Sequence, residues 1–331
     1  MSGILKKIKS FFGMAGKKNG HFSYELPQKY AVSFSAEIKN NASEIRSCAV
    51  VLPIPFSGRY QGIRGDILCV HEGNFRGTDV VYNNKYVWWR VRVAPRSKAV
   101  FQENFNVLVK PFSVSLDSIV GKCEEYAALE RKFTDPYLRG NSFINGDDPK
   151  IRKIAEDVVG KEKRIIPIIS CLNEYVISRL TYGNPLTGLY SVSDALTKDK
   201  VDCGGFAVLL GSLLIASGIP ARIVSGFFAG YSENSMHAWL EAMAPDGTWI
   251  PLDPSMEKLS REGKTKKSGM RGFVGSDRIA LSVGCDIPLT IDGKNVTVDI
   301  LQNPVLFAEG SGADFSVNAT FFTSTTQEVL R

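Results

Sequence analysis

The N-terminal part of the chain alternates apolar and polar residues. Two stretches follow a period of two, with apolar positions Val32, Phe34, Ala36 and Ile38 in the first and Phe101, Phe105, Val107 and Val109 in the second. This period is typical of β-strands with one buried face. Between the two stretches, Asn83 and Asn84 separate β-rich runs in VVYNNKYVWWRVRV, which predicts a hairpin. We therefore predict an antiparallel β-sandwich over residues 21–115.

Helical spacing replaces the alternation after the sandwich. Asp148 followed by Pro149 is a helix-start signal, and it predicts a helix that runs to Val159. A second set of apolar residues recurs at helical spacing: Ile165, Ile168, Ile169, Leu172, Val176 and Leu180. The pattern predicts an α+β chain, in which a helix-rich core over residues 116–275 follows the sandwich. We expect residues 276–331 to form a β-rich extension packed on that core.

The composition is that of a globular protein. The 331 residues exceed what one hydrophobic core usually fills, and the apolar and charged shares, 44% and 22%, lie near the average. A net charge of +6 is too small to indicate a nucleic-acid partner. The chain lacks a run of roughly 18 consecutive apolar residues, so we predict no transmembrane segment.

Residues 1–20 are a basic leader, MSGILKKIKSFFGMAGKKNG. The leader lacks the apolar region and the small-residue cleavage site of a signal peptide. We expect it to be flexible and solvated. The alternative is a short amphipathic helix that touches a membrane surface through its isoleucine, leucine and phenylalanine side chains.

The cysteines lie far apart and form no CxxC pair: Cys48, Cys69, Cys123, Cys171, Cys203 and Cys285. This spacing argues against a zinc site and against a dense disulfide framework. We therefore expect no metal and no cofactor, and we expect a reducing, cytoplasmic location.

One cysteine stands at the head of an apolar run, in DCGGFAVLLGSLLIASGIP. The run predicts a buried helix that ends at Gly218, and Cys203 falls in its first turn. Free N–H groups and the helix dipole at that position favour a thiolate. Gly204 and Gly205 allow another chain or a substrate to approach closely. The alternative for Cys203 is an inert, packed cysteine.

A histidine and an aspartate follow on a predicted hairpin. Pro245, Asp246 and Gly247 suit a three-residue turn, so Ala244 opposes Thr248 and, counting outward, His237 opposes Ser255. Asp253 then lies diagonal to His237 on the same side of the hairpin, within side-chain reach. A thiolate nucleophile needs an imidazole to carry its proton and a carboxylate to fix the imidazole tautomer. Cys203, His237 and Asp253 supply these three groups.

These residues resemble the transglutaminase-like superfamily, whose papain-like core carries cysteine, histidine and aspartate in that order. The resemblance rests on three segments: SRLTYGNPLTG, DCGGFAVLLGSLLIASGIPARIVSGFF and HAWLEAMAPDGTWIPLDPS. It also suggests a bacterial type of member, with a β domain before the core. It implies thiol acyl transfer, with the triad roles falling on Cys203, His237 and Asp253.

The sequence departs from the animal cross-linking members of that superfamily. Those enzymes have a tryptophan after the cysteine and another at the oxyanion site, whereas Gly204 follows Cys203 here. Tyr182 is our candidate for the second oxyanion donor, and the alternative is a packing tyrosine. Trp239 shares the face of His237 and is a candidate to shield the triad from water or to contact the substrate.

These features predict a thiol-dependent enzyme that cleaves amide or peptide bonds in a protein or peptide substrate. The alternatives are a cross-linking protein-glutamine γ-glutamyltransferase and a non-catalytic member that binds a partner. A basic loop, residues 258–272, follows Asp253 closely. We expect it to be exposed; the alternative is that it lines the entrance to the site and attracts acidic partners.

Overall fold

The computed structural model describes residues 23–128 and 131–325. Two four-stranded sheets form a sandwich, with strand orders β16-β1-β6-β3 and β15-β2-β5-β4. Their strands are β1 (Gln28–Asn40), β2 (Arg46–Ile54), β3 (Gln61–Cys69), β4 (Phe75–Thr78), β5 (Lys85–Val93), β6 (Lys98–Val109), β15 (Val305–Ala308) and β16 (Phe315–Thr325). The predicted alternation is observed on β6, where every second residue from Phe101 to Val109 is buried. The leader, residues 1–20, lies outside the described residues.

The hairpin predicted at Asn83 and Asn84 joins β4 and β5, which pair from Thr78 opposite Lys85. Asn83 has a φ of 62°, the left-handed conformation that asparagine tolerates in turns. The carboxylate of Asp79 holds the loop by accepting the backbone N–H groups of Val81, Tyr82 and Asn84. The predicted hairpin is observed, but its first strand lies earlier than the sequence indicated, because residues 80–82 belong to the loop and not to a strand.

We predicted that residues 276–331 form a β-rich extension packed on the core, but the last two strands of this range join the sandwich. Strand β15 pairs with β2, and β16 pairs with β1 along its whole length, with Phe34 opposite Phe321. Among the described strands of residues 276–325, only β12 (Arg278–Val283) joins the sheet of the core. The last strands cover edges of β1 and β2 that would otherwise present unpaired backbone groups. Periodicity identifies a strand but not its distant partner, so the sequence pattern alone could not locate this pairing.

The core consists of helices packed on a third four-stranded antiparallel sheet, with strand order β10-β9-β8-β12. Its elements are the helices α1 (Arg131–Leu138), α2 (Pro149–Val159), α3 (Ile165–Arg179), α4 (Val192–Thr197), α5 (Cys203–Ala216) and α6 (Pro254–Arg261), and the strands β8 (Ala221–Phe228), β9 (Met236–Met243) and β10 (Trp249–Leu252). Small two-stranded pairs complete the fold: β7 (Phe112–Ser113) with β11 (Phe273–Val274), and β13 (Ile287–Ile291) with β14 (Lys294–Val298). Short 3₁₀ turns occur at Leu116–Ser118, Cys123–Ala128 and Gly312–Asp314.

Both faces of the core sheet are covered. Ile223 and Leu240 face the helices, in the cluster that contains α3 and α5. Val224 and Trp239, one residue away on the same strands, face the other way and pack with Val51 of the sandwich. Two-sided burial explains why these strands are nearly continuous apolar runs rather than alternating ones.

Helix α5 is the centre of the core. Every residue from Gly204 to Leu214 is buried. The helix ends at Ala216, and Gly218 follows with a φ of 78°, which agrees with the predicted end of the helix at this glycine. Burial of all its faces fixes the position of its first residue, Cys203, relative to the sheet.

Helices in the described part of the chain are too short or too polar to cross a membrane. Clusters of three or more histidine, cysteine, aspartate or glutamate side chains that could hold a metal ion are likewise absent from residues 23–128 and 131–325.

Candidate active site

Cys203 is the first residue of α5, and the preceding Asp202 caps the helix. The Asp202 carboxylate accepts the N–H groups of Gly204 at 2.9 Å and Gly205 at 3.3 Å through one oxygen. Its other oxygen accepts the N–H of Leu186 at 3.0 Å. The Cys203 Sγ atom accepts the backbone N–H of Ala238 at 3.4 Å, which connects the helix start to β9.

The two glycines after Cys203 serve close packing within the chain. A Cβ atom on Gly205 would lie 2.5 Å from the Cβ of Val201, and one on Gly204 would lie 3.0 Å from Leu189 Cδ2. The close approach predicted from the sequence therefore occurs, but the approaching groups are side chains of the same chain. Gly204 also lines the cleft described below.

His237 and Asp253 are joined by a hydrogen bond of 2.7 Å between Nε2 and Oδ2. The register of the hairpin agrees with the prediction as far as Leu252, which opposes Leu240. Beyond that point the strand ends, because Asp253 caps α6 through the N–H of Met256 and Pro254 starts the helix. The predicted pairing of His237 with Ser255 is therefore wrong. The predicted meeting of the imidazole and the carboxylate is observed.

Four donors surround the Asp253 carboxylate. Oδ2 accepts from His237 and from Arg278 Nη1, each at 2.7 Å, and Oδ1 accepts from Ser255 Oγ and Met256 N, each at 3.0 Å. Burial by itself would raise the pKa of Asp253, but His237 and Arg278 hold that pKa well below its usual range. Asp253 is therefore ionised at any pH at which the protein is expected to work.

The imidazole of His237 is almost completely buried, with 1% of its surface exposed. Burial lowers the pKa of His237 below its usual value; Asp253 opposes this shift, and Arg278 and Lys267 add to it. The ring is thus neutral at neutral pH. Because Nε2 faces the ionised carboxylate, Nε2 carries the proton and Nδ1 keeps a free lone pair.

Burial raises the pKa of the Cys203 thiol to about 12, and the negative charge of Asp202 adds to this shift. The N–H of Ala238 opposes the shift by donating to the sulfur. Our expectation that the helix start favours a thiolate is therefore contradicted. The free N–H groups of the helix start are partly used by the Asp202 carboxylate, whose charge disfavours a second anion beside it.

Cys203 and His237 line the same open cleft, which has a volume of about 470 Å³. Its lining includes Tyr182, Pro185, Leu186 and Gly188, which follow α3 in the chain. Residues 235–238 and part of the loop after α6, Lys264, Thr265 and Lys267, also line it. Part of the basic loop therefore lines the entrance, which was the alternative prediction for residues 258–272. A larger pocket of about 730 Å³ lies in the sandwich between β3 and β4, and triad residues are absent from its lining.

The family model of the transglutaminase-like superfamily matches residues 152–254, a range that includes Cys203, His237 and Asp253. Residues 152–254 are a transglutaminase-like domain. The resemblance recognised in the sequence is confirmed.

Two curated relatives match part of the chain. A protein-glutamine gamma-glutamyltransferase of Pseudomonas aeruginosa is 31% identical over 147 residues, which are 39% of this chain and 22% of the relative. The uncharacterised protein YebA of Bacillus subtilis is 24% identical over 169 residues, which are 44% of this chain and 23% of that protein. The chain thus spans less than a quarter of the length of either relative.

One solved structure is similar over nearly the whole chain. A Cytophaga hutchinsonii protein that is provisionally named a cysteine protease has a TM-score of 0.65 at 14% sequence identity, and the match covers 92% of this chain and 93% of that one. At this identity the likeness establishes the fold alone. The match extends well beyond the transglutaminase-like domain and therefore includes the strands of the sandwich. The α+β fold class is confirmed.

The two remaining candidate residues differ in their position: Tyr182 lines the cleft, and Trp239 does not. Tyr182 lines the cleft beside Cys203, and its ring lies 6.3 Å from that of Phe206. Burial raises the pKa of Tyr182, so its hydroxyl stays protonated and can act as a donor. Trp239 is completely buried, is not part of the cleft lining, and stacks behind His237 at 5.9 Å. Its position fits the shielding of the triad and not a contact with substrate.

Sequence reasoning missed residues that support the triad from distant parts of the chain. Arg278 of β12 binds Asp253, and Gln302 donates to the carbonyl groups of Gly226 and His237 at 2.6 Å and 3.1 Å. The local pattern does not identify Gln302. For Arg278 the available signal is its place in the apolar strand RIALSV, because a buried arginine requires a partner.

Proposed function

We propose that the chain is a thiol-dependent acyl-transfer enzyme that cleaves amide or peptide bonds in a protein or peptide substrate. The observation that carries the proposal is the buried 2.7 Å contact between His237 and Asp253, with the Cys203 thiol lining the same cleft as His237. The neutral state of His237, with its proton on Nε2, leaves Nδ1 free to accept a proton from that thiol.

The proposed reaction starts from a neutral thiol and a neutral imidazole. Cys203 Sγ attacks the carbonyl carbon while its proton moves to His237 Nδ1, and the imidazolium is stabilised by the ionised Asp253. His237 then gives that proton to the leaving nitrogen, the C–N bond breaks and a thioester remains. Water attacks the thioester, giving one proton to His237, and the acid leaves as Cys203 recovers its proton.

The negative oxygen that forms during attack needs hydrogen-bond donors. The N–H of Cys203 lies at the first position of α5 and has no intrahelical acceptor, so we assign it as one donor. Tyr182 is our candidate for the second donor because it lines the cleft next to Cys203. We expect Tyr182→Phe to lower kcat more than it raises KM, since the donor acts on charge that develops only in the transition state.

A second candidate function is glutaminyl transfer, in which an amine rather than water resolves the thioester. The name of the P. aeruginosa relative, a protein-glutamine gamma-glutamyltransferase, favours this candidate. The third candidate is a partner-binding protein without catalysis. The ordered Cys203, His237 and Asp253 argue against it, because binding alone does not require a nucleophile, a base and an orienting carboxylate together.

One assay separates the three candidates. The full chain is incubated with a peptide library, with and without a labelled primary amine, and the products are identified by mass spectrometry. Hydrolysis predicts new peptide termini or deamidated side chains, and transfer predicts amine-labelled glutamine. Both products must disappear in Cys203→Ala and persist in Cys69→Ala, whose thiol lies in the sandwich on β3. Absence of both products from the wild-type reaction would support the partner-binding candidate.

A further inference from the structure

Lys267 carries a positive charge into the proposed active-site cleft. Its Nζ atom donates to Ser235 Oγ at 2.8 Å and lies 4.3 Å from the centre of the Phe228 ring and 5.5 Å from that of Tyr231. The side chain lines the cleft together with Cys203 and His237. Two aromatic faces and one hydroxyl therefore hold the ammonium group in a defined position.

The ammonium group of Lys267 has no acidic side chain within ion-pair distance in the described part of the chain. Of the acidic side chains that act on Lys267, Asp277 already accepts hydrogen bonds from Tyr231 and Ser268, and Glu233 is exposed and forms no ion pair with Lys267. Burial accordingly lowers the pKa of Lys267. In contrast, the exposed Lys264 on the same loop pairs with Glu262 at 2.9 Å.

Lys267 lies close to the imidazole of the triad. The Phe228 ring that it covers is in contact with the His237 ring, with 4.3 Å between the two ring centres. Ser235, which accepts the Lys267 hydrogen bond, precedes His237 by two residues. In the proposed reaction His237 protonates the leaving nitrogen, so the leaving part of the substrate lies on this side of the cleft.

We propose that Lys267 binds a carboxylate on the leaving side of the scissile amide, so that acidic residues are preferred directly after the bond that is cleaved. The inference rests on the proposed amide cleavage and specifies its substrate class. A carboxylate completes the ion pair that the chain itself leaves open, and it does so in a partly buried site where the charge is less screened than at the surface.

The test uses two peptides that differ only in glutamate or glutamine at the residue after the cleaved bond, taken from a sequence that the wild-type protein cuts. We expect kcat/KM to be about tenfold or more higher for the glutamate peptide, as for a hydrogen bond between charged groups. Lys267→Gln should bring this ratio close to one. Lys267→Glu should cleave a third peptide, with lysine at the same position, more efficiently than the glutamate peptide. Simple loss of structure does not produce such a reversal.

Lys266→Gln is the matched control, because it removes the same charge one residue away at an exposed position outside the cleft lining. It should keep the wild-type ratio. A wild-type ratio near one, an equal ratio in wild type and Lys267→Gln, or a preference for acidic residues only before the cleaved bond would overturn the proposal.

A binding measurement separates this proposal from the proposed reaction. Cys203→Ala is titrated with glutamic acid α-amide and with glutamine amide while the backbone amide signals of Ser235 and Lys267 are followed by NMR. Saturable shifts with the glutamate compound alone, lost in Cys203→Ala/Lys267→Gln, support the carboxylate site even if no peptide is cleaved. Equal shifts with both compounds, or none with either, would count against it.

Discussion

Arg278 Nη1 lies 2.7 Å from Asp253 Oδ2, and both side chains are completely inaccessible to solvent. The arginine comes from β12, which lies at the edge of the core sheet beside β8, whereas Asp253 ends β10 at the opposite edge. This ion pair keeps the Asp253 carboxylate negative without requiring His237 to be positive. It therefore allows the neutral imidazole that the proposed reaction needs at its start.

The same arginine also connects the triad to the loop after α6, because Arg278 Nη2 donates to the carbonyl oxygen of Ser268. Ser268 directly follows Lys267, the residue proposed to bind the substrate carboxylate. The position of the cleft wall is thus coupled to the position of Asp253 through one buried side chain.

Replacing Arg278 by methionine should destabilise the protein strongly. Loss of Arg278 leaves the buried Asp253 charge with neutral donors and without a positive partner, which typically costs about 3–5 kcal/mol in the free energy of unfolding. Urea denaturation followed by circular dichroism measures this difference. Arg152→Met is the control, because Arg152 is 57% exposed and pairs with Asp147 at the surface, where a pair contributes about 1 kcal/mol or less. Equal losses in the two variants would contradict the assigned role of Arg278.

The stability of the protein should fall as the pH is lowered below the usual pKa of histidine, about 6.5. Burial lowers the pKa of His237 in the folded state, so the unfolded chain binds the proton more readily. The neutral His237 imidazole therefore contributes fully to the free energy of unfolding above pH 6.5. This contribution is lost below pH 6.5, with a slope of at most about 1.4 kcal/mol per pH unit for one proton. Thermal unfolding at several pH values measures the slope. His237→Gln should reduce it, whereas His71→Gln, at an exposed position, should not.

Alkylation of Cys203 by iodoacetamide should be slow at neutral pH. Because the pKa of this thiol is raised to about 12, the rate should still increase above pH 8.5, where an ordinary thiol begins to level off. The rate at each pH is read from the modified peptide by mass spectrometry. Asp202→Asn should react faster at a given pH, because it removes the charge that raises the pKa while asparagine still caps the helix. A plateau below pH 7.5 would instead indicate a thiolate and an imidazolium in the resting protein.

Replacing Glu103 by glutamine should stabilise the protein at neutral pH. Glu103 is completely buried on β6, and neither carboxylate oxygen has a hydrogen-bond partner among the described residues. Burial raises the pKa of Glu103 well above its usual value. In the unfolded chain this carboxyl ionises at about pH 4.3, so the free energy of unfolding falls as the pH rises above that value. The difference in Tm between variant and wild type should therefore be small at pH 4 and larger at pH 7. An equal difference at both values would contradict a charge effect.

The sequence alone was sufficient for the features that depend on local spacing. Period-two patterns identified the strands of the sandwich, and the run after Cys203 identified the buried helix α5. The turn at Pro245, Asp246 and Gly247 set a register that holds as far as Leu252, and this register was enough to bring His237 and Asp253 together. In each case the determining interactions join residues that are close in the chain.

The tertiary structure decided what depends on distant segments. It assigned β15 and β16 to the sandwich and placed Arg278 on Asp253 and Lys267 in the cleft. It also reversed the expected ionisation of Cys203. Helix position favours a thiolate, but burial and the charge of Asp202 act in the opposite direction and are stronger. Desolvation and long-range strand pairing depend on the whole folded chain, and local residue patterns do not encode them.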